Sequence, residues 1–165
     1  MIFDGEFSDD EMLFGAVDDA MQFAVYHESG HALIDILKIP VTGREEDAAD
    51  QLATLLLIEG KSAGAKMSLS AALMFYYSSQ KLPQSSELYW ENHSFDLQRY
   101  FNIVCLVYGS SPNEYAFLVN NEWLPAERAE YCAAVEYDQI HTSWKQLLTS
   151  YFTKDYCQTL YGFCS

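Results

Sequence analysis

Apolar side chains recur at three- and four-residue intervals along nearly the whole chain, the spacing of helices that bury one face. No run alternates apolar and polar residues with the period of two that a half-buried strand requires. The pattern predicts a mainly α fold, a compact helical domain with little or no β-sheet, with residues 1–165 forming a single domain. Ser8 and Glu11 have capping-box spacing and open a helical region in which a break is expected near Gly15. A helix over about 16–38 follows, ended by Pro40, which pushes the residue before it into extended geometry. Its apolar side is expected to be Ala24, Val25, Ala32, Leu33 and Ile36.

A second helix is predicted over about 43–59, with Thr42 as N-cap, Glu45 returning a hydrogen bond from the third helical position, and Gly60 as the stop. Further helices are expected over 67–80 and 94–108, separated by a loop with Pro83, and Gly109 closes the second of these. Ser111, Pro112 and Glu114 combine the signals of another helix start, and Pro125 opens a long last helix towards residue 152. Residues 157–164 read as a looped staple.

Charge narrows the function classes. Nine basic residues stand against 24 acidic ones, for a net charge of -15, and such a field repels nucleic acid and anionic membrane. The longest apolar runs, such as 52–58, fall far short of the roughly 20 residues that a bilayer-spanning helix needs. Cys105, Cys132, Cys157 and Cys164 contain no CxxC pair, which removes zinc-ribbon and thioredoxin-like chemistry. Two disulfides are expected, Cys105 with Cys132 and Cys157 with Cys164, the other reading being four reduced thiols in a cytosolic protein. The amino end lacks the basic start and apolar stretch of a signal peptide. The expected location is therefore extracellular or periplasmic, after removal of a leader not present in this chain.

Against this background one motif stands out. In His27-Glu28-Ser29-Gly30-His31 the two histidines lie four residues apart, so on a helix both can present a ring nitrogen to one metal ion. Glu28 sits one step round, off the metal but beside an open coordination position, where a carboxylate can act as general base on metal-activated water. A catalytic zinc site needs a third protein ligand, and Glu46, fifteen residues after His31, is the choice. Asp50 lies one turn further on, placed to accept the other ring N–H of a liganding histidine. Glu45 and Asp47 are assigned to a charged helix start that favours the helix dipole.

The segment HESGHALIDILKIPVTGREEDAADQLATLLL resembles the signature of an uncharacterised domain family described as candidate metallopeptidases. Its pairing of HExxH with ExxAD resembles the gluzincin clan that includes thermolysin. The likeness continues through residues 93–102, 105–109 and 128–136. It implies one zinc ion held by His27, His31 and Glu46, with Glu28 as general base and Asp50 behind a histidine. His93 is a candidate catalytic donor to an oxyanion, and Arg99 a candidate partner for an acidic neighbour of the zinc. His141 is expected to be a plain surface residue. The function expected is a zinc-dependent peptidase acting on a peptide or protein substrate, and the alternative is a non-catalytic, zinc-containing peptide-binding domain on the same fold.

Overall fold

A computed structural model describes residues 10–60, 63–81 and 94–151, and within them every regular element is helical. The order is α1 (Asp10–Leu37), α2 (Glu45–Gly60), α3 (Gly64–Ser79), α4 (Asp96–Ser110), the short α5 (Phe117–Asn120) and α6 (Ala126–Tyr131), and α7 (Tyr137–Leu148). None of these helices is long and apolar enough to cross a membrane. Ser8, Pro83, His93, Cys157 and Cys164 lie outside the described residues.

Helix α2 is the hub, packing on α1, α3, α4 and α7. Its residues Ala49, Asp50, Leu52, Ala53, Thr54, Leu55 and Leu57 are buried on several faces, as a helix enclosed by neighbours requires. Two apolar clusters surround it. The larger joins Phe23 of α1, Ala53 and Leu57 of α2, Ala71 of α3 and Ile103 and Val104 of α4. The smaller sets Ile34 and Ile39 against Leu52 and Leu55 of α2 and against Trp144 and Leu148 of α7.

Helix α1 departs from expectation in two ways. It runs unbroken past Gly15. Its buried face is Ala20, Phe23, His27, Gly30 and Ile34, whereas Val25 and Ile36 of the expected apolar side are 65% and 72% exposed, and Ala24 and Ala32 are exposed too. Both faces of this helix carry apolar residues, so periodicity alone does not choose between them. Backbone approach does: a Cβ on Gly30 would sit only 3.3 Å from the Cα of Ala49, so a missing side chain opposite a small one lets α1 and α2 close up here. The end of α1 is a Schellman turn, with Lys38 at φ 53°, Ile39 N–H bonded to Ile34 O at 3.0 Å and Lys38 N–H to Asp35 O at 3.3 Å. Ile39 and Ile34 are both buried in the smaller cluster, completing the motif before Pro40 is reached.

Gly109 is not a stop, because α4 continues to Ser110. It is a contact point, since a Cβ there would lie 2.6 Å from Tyr137 Cβ and 2.8 Å from Cys132 O. The helix expected from Ser111 is a run of turns that leads into the four-residue α5. The long last helix is divided by a π turn, Cys132–Glu136, between α6 and α7, and ends in a 3₁₀ turn at Thr149–Tyr151. Arg128 brackets that π turn by pairing with Glu136, Nη2 to Oε1 at 2.7 Å. The expected disulfide between Cys105 and Cys132 is present with both residues fully buried, tying α4 to the start of the π turn. His141 is not a plain surface residue: its side chain is only 18% exposed, stacks on Tyr137 and brings Nε2 to 3.6 Å from Glu59 Oε1. Burial, the charge of Glu59 and a 3.4 Å hydrogen bond donated to its carboxylate push the Tyr137 hydroxyl well above the usual phenol range.

Candidate metal centre

The short return from α1 to α2 brings the start of α2 against the two histidines of α1. His27 and His31 turn their Nε2 atoms towards each other at 3.2 Å, with rings edge to face. Glu46 spans the pair, its Oε2 3.2 Å from His27 Nε2 and its Oε1 3.5 Å from His31 Nε2. An ion bound tetrahedrally at about 2.0 to 2.2 Å separates its ligand atoms by roughly 3.3 to 3.6 Å, close to the 3.2 Å between the two Nε2 atoms, while Glu46 meets the two rings with different oxygens. One nitrogen or oxygen from each of His27, His31 and Glu46 lies within 4.8 Å of the others, and two imidazoles with one carboxylate make a donor set suited to zinc.

Behind His27 the arrangement is buried and charged. Its Nδ1 lies 2.9 Å from Asp50 Oδ1. Asp50 in turn receives both arms of Arg99, Nε to Oδ2 at 2.7 Å and Nη2 to Oδ1 at 2.8 Å. The Arg99 guanidinium also lies over the Phe75 ring, 3.9 Å from its centroid, so α3 and α4 both fix it in place. Burial alone would raise the Asp50 carboxyl pKa, but the hydrogen bonds and charges of Arg99 and His27 outweigh it and hold the group below the ordinary aspartate value. The same pair raises Arg99 against its own burial. Asp50 is thus a carboxylate that can accept the His27 Nδ1–H and leave the Nε2 lone pair facing Glu46.

Behind His31 the structure departs from the sequence expectation for Glu45. Helix α2 begins at Glu45, which makes this residue the first of the helix and not the third. Its carboxylate turns away from the place assigned to it near Thr42 and lies 2.8 Å from His31 Nδ1. Burial would depress the His31 pKa, but the bond to Glu45 and the charges of Glu46, Glu45 and Glu28 raise it above the ordinary imidazole value. A sequence signal for Glu45 did exist: two liganding histidines create a demand for two Nδ1 acceptors, and Asp50 meets only one of them.

Glu28 is exposed and lines the same open cleft as the histidines, together with Arg44, Glu45 and Glu46. Arg44 donates to Ser94 Oγ at 3.3 Å, linking the mouth of the cleft to the residues just before α4. The structure therefore brings together His27, Glu28, His31, Glu46, Asp50 and Arg99 from three helices. His93, next to Ser94 in sequence, lies outside the described residues.

No curated protein and no solved structure matches the chain. One family comparison does match. Residues 2–148 fit the family described as "Putative metallopeptidase" (DUF4344), and the chain belongs to that family.

Proposed function

We propose that this protein is a zinc-dependent peptidase in which His27, His31 and Glu46 hold one ion and Glu28 is the general base. The observation that carries the reading is the convergence of His27 Nε2, His31 Nε2 and the Glu46 carboxylate in a cleft open to solvent, the two nitrogens 3.2 Å apart and one carboxylate oxygen near each of them, at 3.2 and 3.5 Å. Zinc, when bound there, supplies a Lewis acid for the scissile carbonyl and acidifies water towards neutral pH. Glu28 follows His27 directly on α1, so its carboxylate stands beside the metal ligands without belonging to them. It accepts the proton of the attacking water and returns it to the departing amine. Asp50 and Arg99 keep His27 turned towards the cleft. An extracellular or periplasmic setting accompanies this reading, because disulfides such as Cys105–Cys132 persist in oxidising compartments and are rare in the cytosol.

Two variants test the proposal. Glu46→Ala purified beside the parent is expected to lose the bound zinc that elemental analysis finds in the parent at about one ion per chain. Glu28→Gln is expected to keep zinc and fold but to lose roughly 10² to 10⁴-fold in hydrolysis of a mixed peptide library. A parent chain without zinc rejects the metal site. Zinc binding with no turnover in the parent selects the non-catalytic peptide-binding alternative.

A further inference from the structure

We infer that Glu45 is the positioning residue for His31, the counterpart of Asp50 behind His27, so that the site takes a separate carboxylate for each liganding imidazole. The inference rests on the zinc reading of His27, His31 and Glu46 and adds a residue to it. Glu45 Oε1 lies 2.8 Å from His31 Nδ1, while the opposite nitrogen, Nε2, faces His27 Nε2 at 3.2 Å and Glu46 at 3.5 Å. An imidazole that donates Nδ1–H to a carboxylate carries its lone pair on Nε2, the side on which the ion would sit.

Neighbouring residues on a helix point about 100° apart, and the structure uses that divergence. Glu46 points to the gap between the rings, and Glu45 reaches round to the outer edge of His31. The first position of α2 suits a carboxylate on dipole grounds as well, so the ring contact adds to a favourable placement and opposes nothing. Glu45 differs from Asp50 in setting: its side chain is 52% exposed against 6% for Asp50. The orientation it imposes is therefore screened by solvent and weaker than that of Asp50.

The test is zinc affinity, measured on the full chain by competition with a chromophoric chelator, for parent, E45A, E45Q and E46A, with thermal midpoints recorded alongside. E45A is expected to bind zinc about 10 to 100-fold more weakly than parent, as losses of such outer partners do. E45Q is expected to recover most of that loss, because the amide oxygen still accepts the Nδ1–H. A helix-dipole role alone would move the thermal midpoint of E45A and leave its zinc affinity at the parent value, and that result overturns the inference while leaving the zinc reading intact. E45Q as weak as E45A would show that charge alone matters and would overturn the orienting bond. Complete loss of zinc in E45A with full retention in E46A would make Glu45 the ligand and overturn both assignments. A parent chain that binds no zinc removes both together.

Discussion

His27 and His31 stand on one helix, four residues apart, yet their surroundings differ in kind. The His27 side chain is 10% exposed and its carboxylate, Asp50, is clamped by an arginine that is itself only 11% exposed. The His31 side chain is 24% exposed, and its carboxylate, Glu45, projects half into solvent. The inner arrangement belongs to the core, because α2, α3 and α4 must all pack correctly for Asp50, Phe75 and Arg99 to meet. The outer one needs only the start of α2 to lie against α1. One helix thus carries an imidazole whose orientation is coupled to folding and another whose orientation can be changed at little cost to the fold.

Removing the inner carboxylate gives the largest expected effect. Asp50→Ala leaves Arg99 buried without its partner, and breaking a buried pair from one side costs about 3 to 5 kcal/mol. At about 2 to 4 °C per kcal/mol for a chain of this size, the thermal midpoint should fall by roughly 6 to 20 °C. A fall of only a degree or two would show that the inner arrangement is no more part of the core than the outer one. Gly30→Ala acts on both histidines at once, because the new Cβ meets Ala49 Cα at 3.3 Å and α1 and α2 must give by a few tenths of an ångström to admit it. Overpacking of this kind costs about 1 to 3 kcal/mol, and zinc affinity should drop with stability because Glu46 moves away from both rings. Unchanged zinc affinity in Gly30→Ala would mean that the closeness of the helices does not set the site. The smallest effect on folding belongs to Glu45→Ala, where loss of an exposed ion pair should cost less than about 1 kcal/mol in a denaturant titration. A cost equal to that of Asp50→Ala would erase the distinction between the two sides.

Much of this was legible along the chain. The helical class follows from local spacing, and the choice of His27, His31, Glu46 and Asp50 follows from spacing and from the valence that a metal site demands, whereas the Cys105–Cys132 pairing is expected from helix packing and Arg99 only as a candidate partner for an acidic neighbour of the zinc. Helix ends are less legible where tertiary contacts set them. Glycine commonly follows a helix, which makes Gly109 look like a stop, whereas here it makes room for Tyr137 and Cys132. The π turn at Cys132–Glu136 has no sequence signature and left the last helix looking continuous. His141 is not the plain surface residue expected, because Tyr137 one turn earlier on α7 stacks on it and Glu59 of α2 faces it, contacts that only the packing of the two helices creates.

By itself the sequence determined which groups could ligate a metal, since the fixed rise and rotation of a helix convert a spacing of four into a shared face before any tertiary contact forms. It also determined that Asp50 would share a face with Glu46, one turn apart on α2. Only the tertiary structure decided which face of α1 is buried and where the Glu45 carboxylate goes. Both faces of α1 carry enough apolar surface to be buried, so the choice rests on the fit of Gly30 against Ala49. A first-turn glutamate can serve the cap, the helix dipole or a neighbouring imidazole at similar local energies, and what separates them is whether His31 stands within 2.8 Å, a distance set by how two helices pack.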